Sequence, residues 1–148
     1  MSADNLRIWK RVCKTDPAFT TKVTDGGGFR PTAINAMYQA ERATELFGPI
    51  GIGWGHEEID RLIIDGTVRD DGTEKFWFVH VTLWFVDPES GERGETSQWG
   101  SAALMVKTAN GTGYWSFDED SAKKARTGAV SKCLSSLGFS ADVWLKLY

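Results

Sequence analysis

The sequence predicts an α+β fold, a three-stranded antiparallel meander followed by one long helix and preceded by shorter N-terminal helices, and three observations lead there. Apolar residues between Gly53 and Leu104 fall into three runs, Gly53 to Asp65, Lys75 to Val86 and Glu92 to Leu104. The runs are divided by Asp70-Asp71-Gly72 and by Asp87-Pro88-Glu89-Ser90-Gly91, whose side chains and glycines favour tight turns. Beyond Ser116 the apolar spacing changes from two to the three-and-four pattern of a helix.

At the N-terminus, Leu6, Trp9 and Val12-Cys13 recur at helical spacing from Leu6 to Lys14, with Asp4 or Asn5 as the N-cap. Periodicity is lost from Thr15 to Arg30, and Gly26-Gly27-Gly28 marks backbone able to approach another group closely. Pro31-Thr32 opens a second helix that Gly48-Pro49 stops after Phe47. In the central strand Trp77, Val79, Val81, Leu83 and Phe85 form an apolar face, and Phe76, Phe78, His80, Thr82 and Trp84 form a mixed one. The glycine-rich stretch Asn110 to Gly113 precedes a capping-box pattern, Ser116 and Glu119, and the last helix is expected from Phe117 to Leu137 with Gly138 ending it.

A chain of 148 residues suits a single domain, since one this long buries roughly 70% of its unfolded surface. Its 7 Trp and 8 Phe exceed what a small core needs, so some aromatic surface is expected to serve partners. For Trp54, Trp99 and Trp115, packing in the core or between subunits is expected ahead of base stacking. The net charge of -3 excludes a long-range positive field, which confines any nucleic-acid contact to a local patch. Cys13 and Cys133 are far apart and form no C-x-x-C pair, so they read as small hydrophobes in a reducing compartment. No apolar run approaches the ~18 residues of a membrane helix, and a cytoplasmic location is expected. The ending at Leu147-Tyr148, just after an apolar segment, leaves room for a C-terminal tail.

Enzymatic motifs are not found. Asp60, Asp65, Asp70 and Asp71 cluster at a predicted hairpin without a second acidic motif, which argues for a solvated turn over a metal-dependent nuclease. His56 and His80 lack metal-ligand spacing, no Ser or Cys sits in a nucleophile elbow, and the glycine triplet lacks the Gly-Lys-Ser/Thr of a phosphate-binding loop. The expectation is a non-enzyme without cofactor or metal.

Three stretches resemble the Rad52-like superfamily of single-stranded DNA annealing proteins, phage recombinases included. The first is Gly26-Gly27-Gly28 with Ala43-Thr44-Glu45-Leu46-Phe47-Gly48 and Gly53-Trp54. The second is Phe76-Trp77-Phe78-Val79 with Gln98-Trp99-Gly100. The third is Asp120-Ser121-Ala122-Lys123-Lys124-Ala125, continued through Ala129-Val130 and Cys133-Leu134 to Leu137-Gly138. The resemblance covers roughly Lys22 to Gly138. It implies a β-β-β-α core spanning residues 1–148 as one annealing domain, and subunits joined edge to edge in a homo-oligomeric ring or spiral. It further implies ATP-independent binding and annealing of single-stranded DNA in recombination and repair. A phage exonuclease or a host single-strand binding protein would be a partner, in the cytoplasm of a bacterial host.

On a helical wheel Val130, Cys133, Leu134 and Leu137 share one face of the last helix, opposite Lys124, Gly128, Ser131, Lys132 and Ser135. A small, hydroxylic and cationic face lets a phosphate backbone approach closely. Lys132 matches a DNA-contacting basic position of the family, whereas Ser131 and Ser135 stand where eukaryotic relatives carry basic residues. Lys22 lies one position from the basic residue expected before the glycine triplet, and Arg30 matches one after it. Lys123 and Arg126 project near the apolar sector, to reach around the sheet edge or to pair with acids such as Glu95. Lys107 is a candidate for a second DNA site in the loop before the helix. For each cation the alternative is a solvated surface charge. Two other functions compete: a protective single-strand binder without annealing activity, and a small-molecule-binding α+β domain with a pocket between Trp77, Phe85 and the helix.

Overall fold

A computed structural model of the protein describes residues 4–22 and 32–145. In chain order the elements are α1 (Arg7–Val12), a 3-10 turn (Pro17–Phe19), β1 (Thr20–Lys22), β2 (Thr32–Ile34), α2 (Ala36–Phe47), β3 (Trp54–Arg69) and β4 (Gly72–Val86). They continue with β5 (Arg93–Lys107), the single turn α3 (Thr108–Gly111), β6 (Trp115–Phe117), α4 (Ser121–Ser136) and α5 (Ala141–Trp144). The fold is α+β, with a four-stranded sheet in the order β3-β4-β5-β6 and a separate β1-β2 ladder. The predicted meander is therefore present but carries a fourth strand. Trp115, Ser116 and Phe117 pair with Lys107, Val106 and Met105, which places Ser116 in a strand instead of a helix cap.

The chain divides into two compact units, one of Met1–Gly55, Phe85–Gly94 and Leu134–Tyr148, the other of His56–Trp84 and Glu95–Cys133. In the first, α2 begins at Ala36 because the Asn35 carboxamide accepts from the Tyr38 amide at 3.0 Å. The expected start at Pro31-Thr32 is thus corrected: Thr32 to Ile34 pair instead with Lys22 to Thr20, inside the stretch expected to be a loop. Gly48 ends α2 as expected, its φ of 107° lying where a side chain would be strained. The core of this unit holds Val12, Leu46, Trp54, Leu134 and Phe139, and Phe47 packs against Phe85 at 5.2 Å and Phe139 at 6.0 Å.

The end of α4 follows from its residues. Gly138 donates to Ser135 and Phe139 to Leu134, the two reversed bonds of a left-handed helix stop, with Leu134 and Phe139 both buried. Gly138 is required twice, since φ is 106° and a Cβ would enter the Trp9 ring.

Asp87 anchors the turn between β4 and β5. Buried, it accepts from the Arg7 guanidinium and from the Glu89 amide at 2.9 Å. Chiefly the Arg7 bond holds its carboxyl down at about 2. A depressed carboxylate contributes stability that is present above its unfolded value near 3.9 and lost as pH falls through the folded one. Asp87→Asn is expected to cost on the order of 1–2 kcal/mol at pH 7, roughly 3–8 °C in Tm. The difference from wild type should close between pH 4 and pH 2, as read by thermal melts across that window; a constant difference would show that Asp87 stabilises through shape alone.

In the second unit, α4 lies on one face of the sheet. Val79, Val81, Ala125 and Ala129 are wholly buried together, with Trp77, Ala102 and Val130 packed around them. This bears out the odd-numbered apolar face of β4. The buried row of α4 is, however, Ser121, Ala125, Ala129 and Cys133, with Val130 only half-buried, so small residues occupy the centre that the wheel gave to larger ones. Gly100 explains why: a Cβ there would overlap the Ala125 carbonyl oxygen, so helix and strand meet at backbone distance.

Candidate nucleic-acid interface

Helix α4 starts at Ser121, later than Phe117, because Asp118 organises the entry. Its carboxylate accepts from the Asp120 amide at 2.9 Å and from Lys124 Nζ at 2.5 Å. The Lys124 bond is the main reason Asp118 titrates below the ordinary carboxylate range, and the same bond raises Lys124. Lys124 stays charged at neutral pH, but a phosphate must compete with an acid for it.

The expected stripe is present in part. Lys124 and Lys132 are exposed, with Gly128 and Ser131 half-buried between them, and Lys123, expected near the apolar sector, is exposed as well. A Cβ at Gly128 would meet nothing within 4 Å, so the backbone of α4 is open to close approach there. Lys132 donates to the Trp99 carbonyl at 3.2 Å, which places its ammonium group at β5. Ser135 accepts from the Trp144 indole at 3.0 Å and belongs to the first unit.

Arg126 and Lys107 are placed differently from expectation. Arg126 turns to the start of β3, where it lies 3.2 Å from His56 Nδ1 and 3.9 Å from Glu58, an acid on a strand as expected but on β3. Burial first, and the adjacent guanidinium second, lower the His56 pKa, so the imidazole is neutral at pH 7 and can accept from Arg126. Glu58 is also held by Arg61 at 2.7 Å, and Arg61 lies 5.4 Å from the Trp77 ring centroid. Lys107 is not in a loop: it ends β5, donates to Asp71 at 2.7 Å and stands 6.0 Å from the Trp115 ring. Its amide donates to buried Glu74, a structural use of this corner that spacing along the chain gave no sign of.

Lys22 closes β1, and its side chain, like Arg30 and the Gly26-Gly27-Gly28 triplet, lies outside the described residues. Cys133 is buried and its thiol lies 3.8 Å from the Val81 carbonyl, with desolvation raising its pKa, as suits a small hydrophobe. Of the three tryptophans, Trp54 is core, and Trp115 donates to Asp71 at 3.1 Å. Trp99 instead stays 38% exposed, with its ring stacked on His80. Trp77 joins the α4 cluster, and Phe85 belongs to the other unit against Phe47.

β3 was expected as a strand, but the exposure of its apolar residues was not. It is an edge strand of 16 residues, and Ile59, Leu62, Ile63, Ile64 and Val68 are each 42–76% exposed along it. Among the described residues no helix is long and apolar enough to cross a membrane, and no group of His, Cys, Asp or Glu is placed to hold a metal ion. Comparison with protein-family models and with curated proteins finds no match to either, so a functional reading rests on these residues themselves.

Proposed function

We propose that this protein binds single-stranded DNA and anneals complementary strands without ATP, as a homo-oligomeric ring or spiral with a Rad52-like β-β-β-α core. The observation that carries this reading is β3. A long strand with one unpaired edge and exposed apolar side chains is a template for pairing with another chain, and a closed assembly removes the edge. Repetition by assembly also addresses charge. A chain of net charge -3 has no basic field of its own, but Lys123, Lys124 and Lys132 of α4 recur at fixed intervals around a ring. The strand is held by its phosphates while complementary bases read each other.

The role follows: recombination and repair in the cytoplasm of a bacterial host, alongside a phage exonuclease or host single-strand binding protein, without catalysis by this chain. Electron microscopy with and without a long oligonucleotide, together with a fluorescence annealing assay of Lys124→Ala and Lys132→Ala, tests it. Each variant should melt within about 2 °C of wild type, as exposed ion pairs contribute little. Each should also reduce annealing several-fold and lower the salt dependence of binding by about one phosphate contact. Unchanged rates in both would place the groove elsewhere. A monomer that protects single strands without annealing them would favour the protective-binder reading.

A further inference from the structure

The sheet of the second unit has a face that α4 does not cover. Val79, Val81, Gly100 and Ala102 lie toward the helix, so alternation puts Phe76, Phe78, His80, Thr82 and Trp84 of β4 on the opposite side. Ser97, Trp99, Ser101 and Ala103 of β5 join them there. Two cross-strand contacts fix this register: the Thr82 and Ser97 hydroxyls are 2.7 Å apart, and the His80 and Trp99 rings stack at 4.6 Å and 14°. From Phe76 to Trp84 and from Ser97 to Ala103 these positions carry no Asp or Glu, in a chain with 20 acidic residues against 17 Lys and Arg; Glu95, two residues before Ser97, is the acid that borders the face. On these two strands the stretch without carboxylates, the kind an anion can approach, lies on the Phe76 and Ala103 side of the ring pair.

We propose that the His80–Trp99 ring pair is a base-stacking platform for single-stranded nucleic acid, resting on the annealing reading above and naming the part of the ligand it grips besides phosphate. The indole is 38% exposed in spite of its size, and His80 holds it nearly flat, so its orientation is set before a base arrives. The Lys132 ammonium group reaches the Trp99 carbonyl from α4, which packs on the other face of the sheet, so a cation stands at the strand that carries the aromatic ring. A nucleotide presents the complementary pair, a phosphate and a π-surface a few ångströms apart. The contact reads no sequence, because every base has such a surface, and annealing requires that indifference. The Thr82 and Ser97 hydroxyls, two residues along on both strands, supply polar contacts beside the stack.

The test compares a labelled dT20 with an oligomer of abasic deoxyribose phosphates of the same length, at one low salt concentration. Wild type should bind dT20 at least about tenfold more tightly. Trp99→Ala should erase that preference while keeping its affinity for the abasic oligomer within about twofold, and Trp99→Phe, which keeps a ring, should retain most of it. Equal wild-type binding of both oligomers overturns the stacking platform and leaves the phosphate reading standing, whereas no binding of either overturns the annealing reading itself. Loss of both affinities in Trp99→Ala, together with a smaller assembly in sedimentation, also overturns the platform and makes Trp99 a subunit-packing residue. The wild-type comparison needs no variant, so a poorly folding Trp99→Ala still leaves the proposal open to refutation.

Discussion

The double variant Ile63→Lys with Ile64→Lys is expected to fold, to sediment as a monomer, and to anneal complementary strands at the background rate. Consecutive residues of a strand point to opposite faces, so the pair places one ammonium group on each side of β3. Whichever face a neighbouring subunit contacts, it meets a charge in place of a methyl-rich surface. Lysine on an edge strand is also the commonest natural device against edge pairing. Both isoleucines are about half exposed already, so the loss of burial costs roughly 1 kcal/mol each within the subunit. Against that stands, for the proposed ring, the loss of its seam and of the cations that assembly would repeat. Sedimentation velocity and far-ultraviolet circular dichroism on the same samples check both halves of the expectation. A double variant that remains assembled would remove β3 as the seam, and with it the main support for a ring.

The long strands were legible because their boundaries are chemical. Asp-Asp-Gly and Asp-Pro-Glu-Ser-Gly cannot easily continue a strand, and the runs between them alternate over many residues. The three-residue strands were not legible. Thr32 to Ile34 and Trp115 to Phe117 are too short to show a period and are extended because a partner strand fixes them. Ser116-Glu119 carries a capping signature, yet the signature scores only local bonds, and the ladder with Val106 competes for the same backbone. The core of α4 was placed in part: Cys133 and Leu134 are buried as expected, but a wheel weighted by hydropathy looks for large side chains and passed over Ala125 and Ala129, which meet a glycine.

At the candidate site, the exposed lysines of α4 were legible as a stripe. Their pairings were not, since Lys107 meets Asp71 across 36 positions and Arg126 meets His56 across 70. The exposed apolar character of β3 was present in the sequence as Ile59, Leu62, Ile63, Ile64 and Val68, but a strand at the edge and one in the centre read alike until the sheet order is known.

Gly100→Ala is expected to be among the most damaging single substitutions in the sheet. Alanine normally favours a strand over glycine, and by propensity alone the change should stabilise. Here the added Cβ would fall on the Ala125 carbonyl oxygen and within reach of the Ala129 amide nitrogen, both backbone atoms of α4. Neither can rotate aside, so the helix must lift from the strand and open the packing of Val79, Val81 and Ala102 beneath it. Over-packing of this kind costs roughly 3 kcal/mol, near the top of its usual range, and about 6–12 °C in Tm. Trimming Ala125 or Ala129 to glycine should not restore stability, because the obstacle is main chain. A clash with their methyl groups would instead be relieved by such a double variant. Thermal melts of Gly100→Ala alone and with Ala129→Gly separate the two cases, and a Gly100→Ala protein melting within about 2 °C of wild type would mean that α4 does not sit on β5 at backbone distance.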